Sequence, residues 1–159
     1  MATTEADRLR QFAITRRLEA AGFRAWPATS THYDGTWAVR LTTSFPAKRL
    51  NSVNPLDPSD DRDIEGRIAR ARAHFAAAGR ELIFRQSPLA PPALKAHLDA
   101  EGWESFGESV VFTADLATLD LSDALDRIPI RDAERYLDAS LRVHERPEEL
   151  RTGLAEVLA

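Results

Sequence analysis

Between Asn54 and Asp63 the chain reads Asn-Pro-Leu-Asp-Pro-Ser-Asp-Asp-Arg-Asp, at a point where a strand is expected to feed a helix. The mouth of a helix presents free backbone N–H groups and the positive end of the peptide dipole, which makes it a natural seat for a phosphate. This seat carries no glycine loop. Asp57, Asp60, Asp61 and Asp63 would complement the dipole themselves and repel a pyrophosphate. A nucleotide is therefore not expected in that place.

Other residues have types suited to chemistry. Glu108 lies between Phe106 and Val110 on one alternating face. Burial would raise its pKa and suit it to deprotonating an amine as a general base. Alternatively Gly107 marks a bulge that re-aims it, or it pairs with an arginine, which are the commoner fates of a charged residue. A hairpin centred on Pro46 sets Leu41 opposite Asn51 and Val39 opposite Val53, so Arg49 and Asn51 share a face with Trp37, Val39 and Leu41. Polar groups placed there could orient a ligand or satisfy the backbone before Asn54-Pro55. Arg85-Gln86-Ser87 closes a strand expected near the sheet centre, and ligands of open α/β sheets favour the carboxyl ends of strands. Arg49, Asn51, Arg85 and Ser87 are thus the substrate-binding candidates. Ser87 has no nucleophile elbow around it, which leaves hydrolase chemistry unsupported. His32, His74, His97 and His144 fall in a turn and on three separate helices without ligand spacing, so no metal is expected.

The elements that must position these residues follow from periodicity. Residues 4–21 read as a helix closed by Gly22, and Tyr33-Asp34-Gly35 reads as a turn. Trp37, Val39 and Leu41 then alternate with Ala38, Arg40 and Thr42 as a half-buried strand, and a second strand is expected over residues 49–53. From Asp60 to Ala78 the apolar positions Ile64, Ile68, Ala71 and Phe75 keep helical spacing, and Gly79 ends the run. Leu82-Ile83-Phe84 reads as a short strand buried on both faces and locally parallel to its neighbour. Pro91-Pro92 opens a helix that stops at Gly102, and an alternating strand is expected over residues 106–112. Beyond Leu116 the texture shifts to acids alternating with leucine and alanine. Ile128-Pro129-Ile130 then reads as a brief extended piece and residues 131–144 and 147–159 as two helices. Their apolar positions, among them Tyr136, Leu137, Leu141, Leu150, Leu154 and Val157, need a covering surface, for which a second copy of the chain is one source.

The chain has 159 residues, 43% of them hydrophobic, with a formal net charge of −4 and no cysteine. That length supports one well-cored domain with an appendage. The mild, interspersed charge lacks the footprint of a nucleic-acid binder. Absence of cysteine removes disulfides, thiolate nucleophiles and thiolate metal sites. No apolar run is long enough to span a bilayer, and the polar start lacks a signal-peptide pattern, so a cytoplasmic location is expected.

The order helix, hairpin, helix, strand, helix, strand carries a set of particular motifs. Ala25-Trp26-Pro27-Ala28 precedes Asp34-Gly35 and a strand containing Arg40. Arg49-Leu50-Asn51-Ser52-Val53-Asn54-Pro55-Leu56 follows, then the stretch from Phe84 to Pro92, then Gly102-Trp103. Over roughly residues 15–116 this order resembles the N-terminal half of a bacterial group of two-part GNAT-family N-acetyltransferases. The resemblance implies an α/β (α+β) fold: a GNAT-like mixed sheet with an antiparallel hairpin, a central parallel pair and flanking helices. Residues 1–116 would form the GNAT-like N-terminal domain. Residues 117–159 would be a linker plus the opening strand and helices of a second, truncated GNAT domain.

The family's coenzyme signatures are degenerate in this sequence. Its Arg/Gln-x-x-Gly-x-Gly/Ala loop grips the coenzyme A pyrophosphate. The nearest match, Arg62-Asp63-Ile64-Glu65-Gly66-Arg67-Ile68-Ala69, spaces arginine and glycine one residue too far apart and lies inside a helix. The family's tyrosine, which often protonates the leaving thiolate, falls on Leu98 when Gly102-Trp103 is aligned. The implied reading is a catalytically silent half of an acetyl-CoA-dependent enzyme acting on an unknown amine. No coenzyme is expected on this chain, and acetyl-CoA is implied for the missing half. Two alternatives remain. One is a stand-alone interaction or small-molecule-sensing module on the same scaffold. The other is an active acyltransferase using Arg85 or Arg49 for phosphate and Glu108 as base.

Overall fold

The chain reverses at Tyr33-Asp34-Gly35 as its sequence predicts, and the residues on both sides pair. Ser30–Asp34 (β1) and Trp37–Leu41 (β2) run antiparallel with His32 opposite Val39. Ser52–Pro55 (β3) joins the other edge of β2 antiparallel, with Val39 opposite Val53, the register that a reversal centred on Pro46 imposes. The computed structural model describes residues 4–120, 122 and 131–159. Within these it is a mixed α/β protein, with a three-stranded sheet of order β1-β2-β3 and five α-helices. The helices are α1 (Glu5–Ala25), α2 (Ile64–Ala77), α3 (Pro92–Ala100), α4 (Ala133–Val143) and α5 (Arg151–Leu158).

β2 is the centre of the molecule, and all five of its residues are buried. Trp37, Val39 and Leu41 point with Val53 into a core made with Ile68, Ala71 and Phe75 of α2 and Leu94 and Leu98 of α3. The opposite face, expected to be wet, is also covered. Arg40 lies there, 3% exposed, with its guanidinium 4.3 Å from the Phe23 ring. It donates to the Trp26 carbonyl and, at 2.8 Å, to the Arg49 carbonyl. The end of α1 thus supplies carbonyl acceptors that make burial of this cation tolerable.

Several boundaries differ from the sequence expectation. α1 runs through Gly22 to Ala25, started by a reciprocal Thr4–Asp7 capping box. β1, polar and largely exposed, has no period of its own and is held by its ladder to β2. Residues 48–50 form a 3-10 turn rather than the start of β3, because the Asn51 side chain takes over the loop backbone. Its amide donates to the carbonyls of Phe45 (2.8 Å) and Ala47 (3.0 Å), and its oxygen accepts from Thr42 N–H (2.8 Å).

The expected central parallel pair is reduced to one bridge between Val53 and Phe84. Val53 N–H donates to Ile83 (2.8 Å) and Arg85 N–H to Val53 (2.9 Å). The next donor on β3 would be residue 55, a proline with no N–H, so the parallel ladder stops there. The strand expected over residues 106–112 does not form. Gly107 turns to a φ of +65°, Phe106, Val110, Val111 and Phe112 are exposed, and the backbone of 104–113 bonds to no other described residue.

α2 and α3 stop at Gly79 and Gly102 as expected, where Arg80 and Trp103 N–H groups reach back to the carbonyls of Phe75 (2.9 Å) and Leu98 (3.0 Å). The two tail helices are present, and their apolar faces find cover inside the chain. Leu137, Leu141, Leu154 and Val157 pack with Phe45 and Leu50 of the hairpin loop and with Trp26 and Ala28. Each such burial is worth roughly 1.5–3 kcal/mol before ordering costs. The extended piece expected at Ile128-Pro129-Ile130 lies outside the described residues. Among the described residues, no helix is long and apolar enough to cross a membrane.

Candidate functional site

The hairpin turn and the first turns of α2 meet around one buried arginine. Arg67, 4% exposed, stacks its guanidinium 3.9 Å from the Trp37 ring centroid. One of its nitrogens lies 3.1 Å from the Asp60 carboxylate and also donates to the Asp34 carbonyl. Its Nε lies 3.4 Å from an Asp34 carboxylate oxygen, outside hydrogen-bond geometry. Asp60 in turn accepts from the Thr36 N–H and hydroxyl, both at 2.8 Å. Burial alone would raise the Asp60 carboxyl. The Thr36 and Arg67 donors outweigh burial and hold it at about 2. Gly35 makes the arrangement possible. Its φ is +60°, and a Cβ there would stand 2.6 Å from Asp60 Oδ2.

Arg70, one turn along α2, binds Asp34 (3.0 Å) and Asp63 (3.0 Å). Beyond it, His74 meets His32 of β1 edge to face, with ring centroids 4.6 Å apart. Burial, with His74 next, lowers the His32 pKa below its ordinary value, and Asp34 opposes the shift. These side chains surround a cleft of about 390 Å³ whose apolar lining comes from Trp37, Val39 and Ala71. Among the described residues, no group of three or more histidines and carboxylates is placed to hold a metal ion.

The four aspartates of the helix mouth are placed differently from one another. Asp57 folds onto its own turn, accepting from the Ser59 N–H (2.9 Å) and hydroxyl (2.7 Å). Asp60 points inward to Thr36 and Arg67, and Asp61 is exposed. Asp63 starts α2 in a left-handed conformation without a side-chain cap. Its carboxylate lies across the first turn, so close that a Cβ on Gly66 would come within 2.3 Å of it. Asp60 and Asp63 serve arginines of α2, and Asp57 serves a turn.

The residues singled out from sequence do not converge. Arg49 is exposed, 5.9 Å from the Trp26 ring, and contributes its backbone carbonyl to Arg40. Asn51 is buried and spends its amide on loop backbone. Arg85 pairs with Glu19 of α1. Ser87 accepts from the Leu89 N–H at 3.2 Å and shapes a turn. No described hydrogen bond or ion pair joins any two of them. Glu108 is exposed in the unpaired segment after Gly107, so the buried setting expected of a general base is absent. Leu98, at the position the resemblance gives to a tyrosine, is core.

The cleft residues were missed for a definable reason. Extending the hairpin back from Tyr33-Asp34-Gly35 puts His32 opposite Val39, on the α2 side of the sheet. That signal was present. What no local pattern carried was that His74, 42 positions later, would stand against it.

No protein-family model matches this chain, and no curated protein sequence and no solved structure is significantly similar to it.

Proposed function

We propose that this chain is the N-terminal, catalytically silent part of a cytoplasmic GNAT-type N-acetyltransferase, whose acetyl-CoA is held by a second GNAT domain that transfers the acetyl group to an amine. Motif order supports this reading, together with the succession of α1, antiparallel hairpin, α2, a parallel bridge from β3 to Phe84, and α3. One observation carries the silent assignment. The Asp63 carboxylate covers the first turn of α2 at Gly66, where a coenzyme pyrophosphate would need free amides. Asp57 and the exposed Asp61 near that mouth add repulsion. Calorimetric titration of the chain with acetyl-CoA is expected to give no binding heat. Micromolar affinity would overturn the silent assignment.

A second reading, a stand-alone interaction or small-molecule-sensing module on this scaffold, draws on a different observation. The tail helices close onto Phe45 and Leu50 and share a core with the hairpin instead of leaving their apolar faces open.

A further inference from the structure

Residues 106–112 read Phe-Gly-Glu-Ser-Val-Val-Phe, and their apolar side chains stand in solvent, Val110 at 74%, Val111 at 68% and Phe112 at 89% exposure. The backbone of 104–113 bonds to no other described residue. Aromatic and β-branched residues in alternation, without proline, are what a sheet takes up as a strand. On the same chain a sheet edge stands open. Val53 of β3 bonds to the Ile83 carbonyl and the Arg85 N–H, so the N–H and carbonyl of Phe84, between them, point to the other side. Neither takes part in a backbone bond among the described residues. Leu82 and Phe84 are only partly buried at the rim of the first core, where Phe84 meets Trp37 (5.7 Å) and Trp103 (5.6 Å) edge to face.

Segment and edge match. Period two puts Phe106, Val110 and Phe112 on one face and Val111 on the other, while Leu82 and Phe84 share the core face of their strand and Ile83 takes the opposite one. A register that sets Val111 against Ile83 brings Val110 and Phe112 beside Leu82 and Phe84 in either strand direction, and so extends the core across the edge. Charge agrees. The segment brings Glu104 and Glu108, and the edge is flanked by Arg80 and Arg85, of which Arg80 is bonded to the neutral Thr43 carbonyl. The segment does not bond to its own edge. Phe106 lies 3.9 Å from the Lys48 amine, beside the hairpin loop, and Gly107 turns the chain with a φ of +65°.

We infer that two copies of the chain exchange this strand, residues 106–112 of each pairing with the Phe84 edge of the other. Each copy gives one strand and takes one, so the pair closes on a twofold axis. The tail helices, already covered by Phe45 and Leu50, stay outside this interface. Exchange involves no coenzyme, so an acetyl-CoA titration and the test below fail independently.

Light scattering on the full chain is expected to show monomer and dimer in equilibrium, with a dissociation constant on the order of 10 µM for so small an interface. Below that concentration the stretch is open to protease, and cleavage within it should slow as the concentration rises. Val110→Asp with Phe112→Asp, at two exposed positions, leaves the monomer folded and is expected to weaken association by about tenfold or more. The chain has no cysteine, so thiols can be placed singly. Paired across the exchanged strand, residues 83 and 111 would have Cα atoms about 5 Å apart, within disulfide reach. A mixture of Ile83→Cys chains and Val111→Cys chains, oxidised with glutathione disulfide, is expected to give a linked dimer of one of each, well above what either variant gives alone. A mass that stays monomeric up to the solubility limit, absence of the mixed disulfide, or a dimer unaffected by the two aspartates would overturn the exchange. So would a disulfide formed within single chains carrying both Ile83→Cys and Val111→Cys, which would place the strand on its own edge.

Discussion

Asp60 is buried beneath the hairpin turn with a carboxyl held at about 2, against an ordinary value of 3.8. A depressed carboxylate contributes stability that is complete above the unfolded value and is lost as pH falls through the folded one. This contribution, about 2 kcal/mol, should therefore disappear between pH about 4 and about 2. Asp60→Asn leaves the Arg67 cation buried with only the half-buried Asp34 beside it, and should cost about 3 kcal/mol in urea unfolding. Asp61→Asn, at an exposed position in the same run, should stay within about 0.5 kcal/mol. The opposite case is His32, a base whose pKa is lowered by burial and by His74. Its unfolded form binds a proton more readily than its folded form. Stability should therefore decline as pH drops below about 6.5, and His32→Gln should flatten that decline in unfolding curves taken across pH 7 to 5, taken as approximate limits.

At the scale of elements, α5 sets Gly153 directly against the backbone of the hairpin loop. A Cβ on Gly153 would stand 2.0 Å from the Ser44 carbonyl oxygen, a backbone atom that cannot swing aside. Gly153→Ala is expected to cost about 1–3 kcal/mol through overpacking. Amide exchange should quicken in α4 and α5 while β2 and α2 keep their protection. Unchanged exchange in α4 and α5 would contradict the docking. The same scale shows where periodicity succeeds. Trp37, Val39 and Leu41 declare the core face of β2, and Ile64, Ile68, Ala71 and Phe75 declare the face of α2 that meets it. Periodicity fails at β1, which is polar and exists only as a partner to β2, and at residues 106–112, whose alternation has no neighbouring strand to bond.

For the whole molecule, the exposed stretch from 104 to 113, whose backbone bonds to no described residue outside it, lies between two cores along the chain. One lies between the sheet, α2 and α3, the other between the hairpin loop, α4 and α5. Limited proteolysis should cut first in this stretch, because cleavage needs a locally extended backbone free of structure. The two fragments should then co-elute on size exclusion, held by Leu137, Leu141, Leu154 and Val157 against Phe45 and Leu50. Separation of the fragments would show that the second core does not bind the tail.

Sequence alone determined what neighbours along the chain decide. It placed the hairpin reversal, the register of Val39 on Val53, the glycine stops after α2 and α3, and the acidic character of the α2 mouth, while α2 itself begins at Ile64 and not at Asp60. These depend on a period, a turn signal or a breaker, all local. The partners of each aspartate, the cover over Arg40, the packing of the tail, and the meeting of His32 with His74 were decided only by tertiary structure. Each depends on which surfaces meet across long separations in sequence, and burial then fixes which charges must pair and which N–H groups are left without an acceptor.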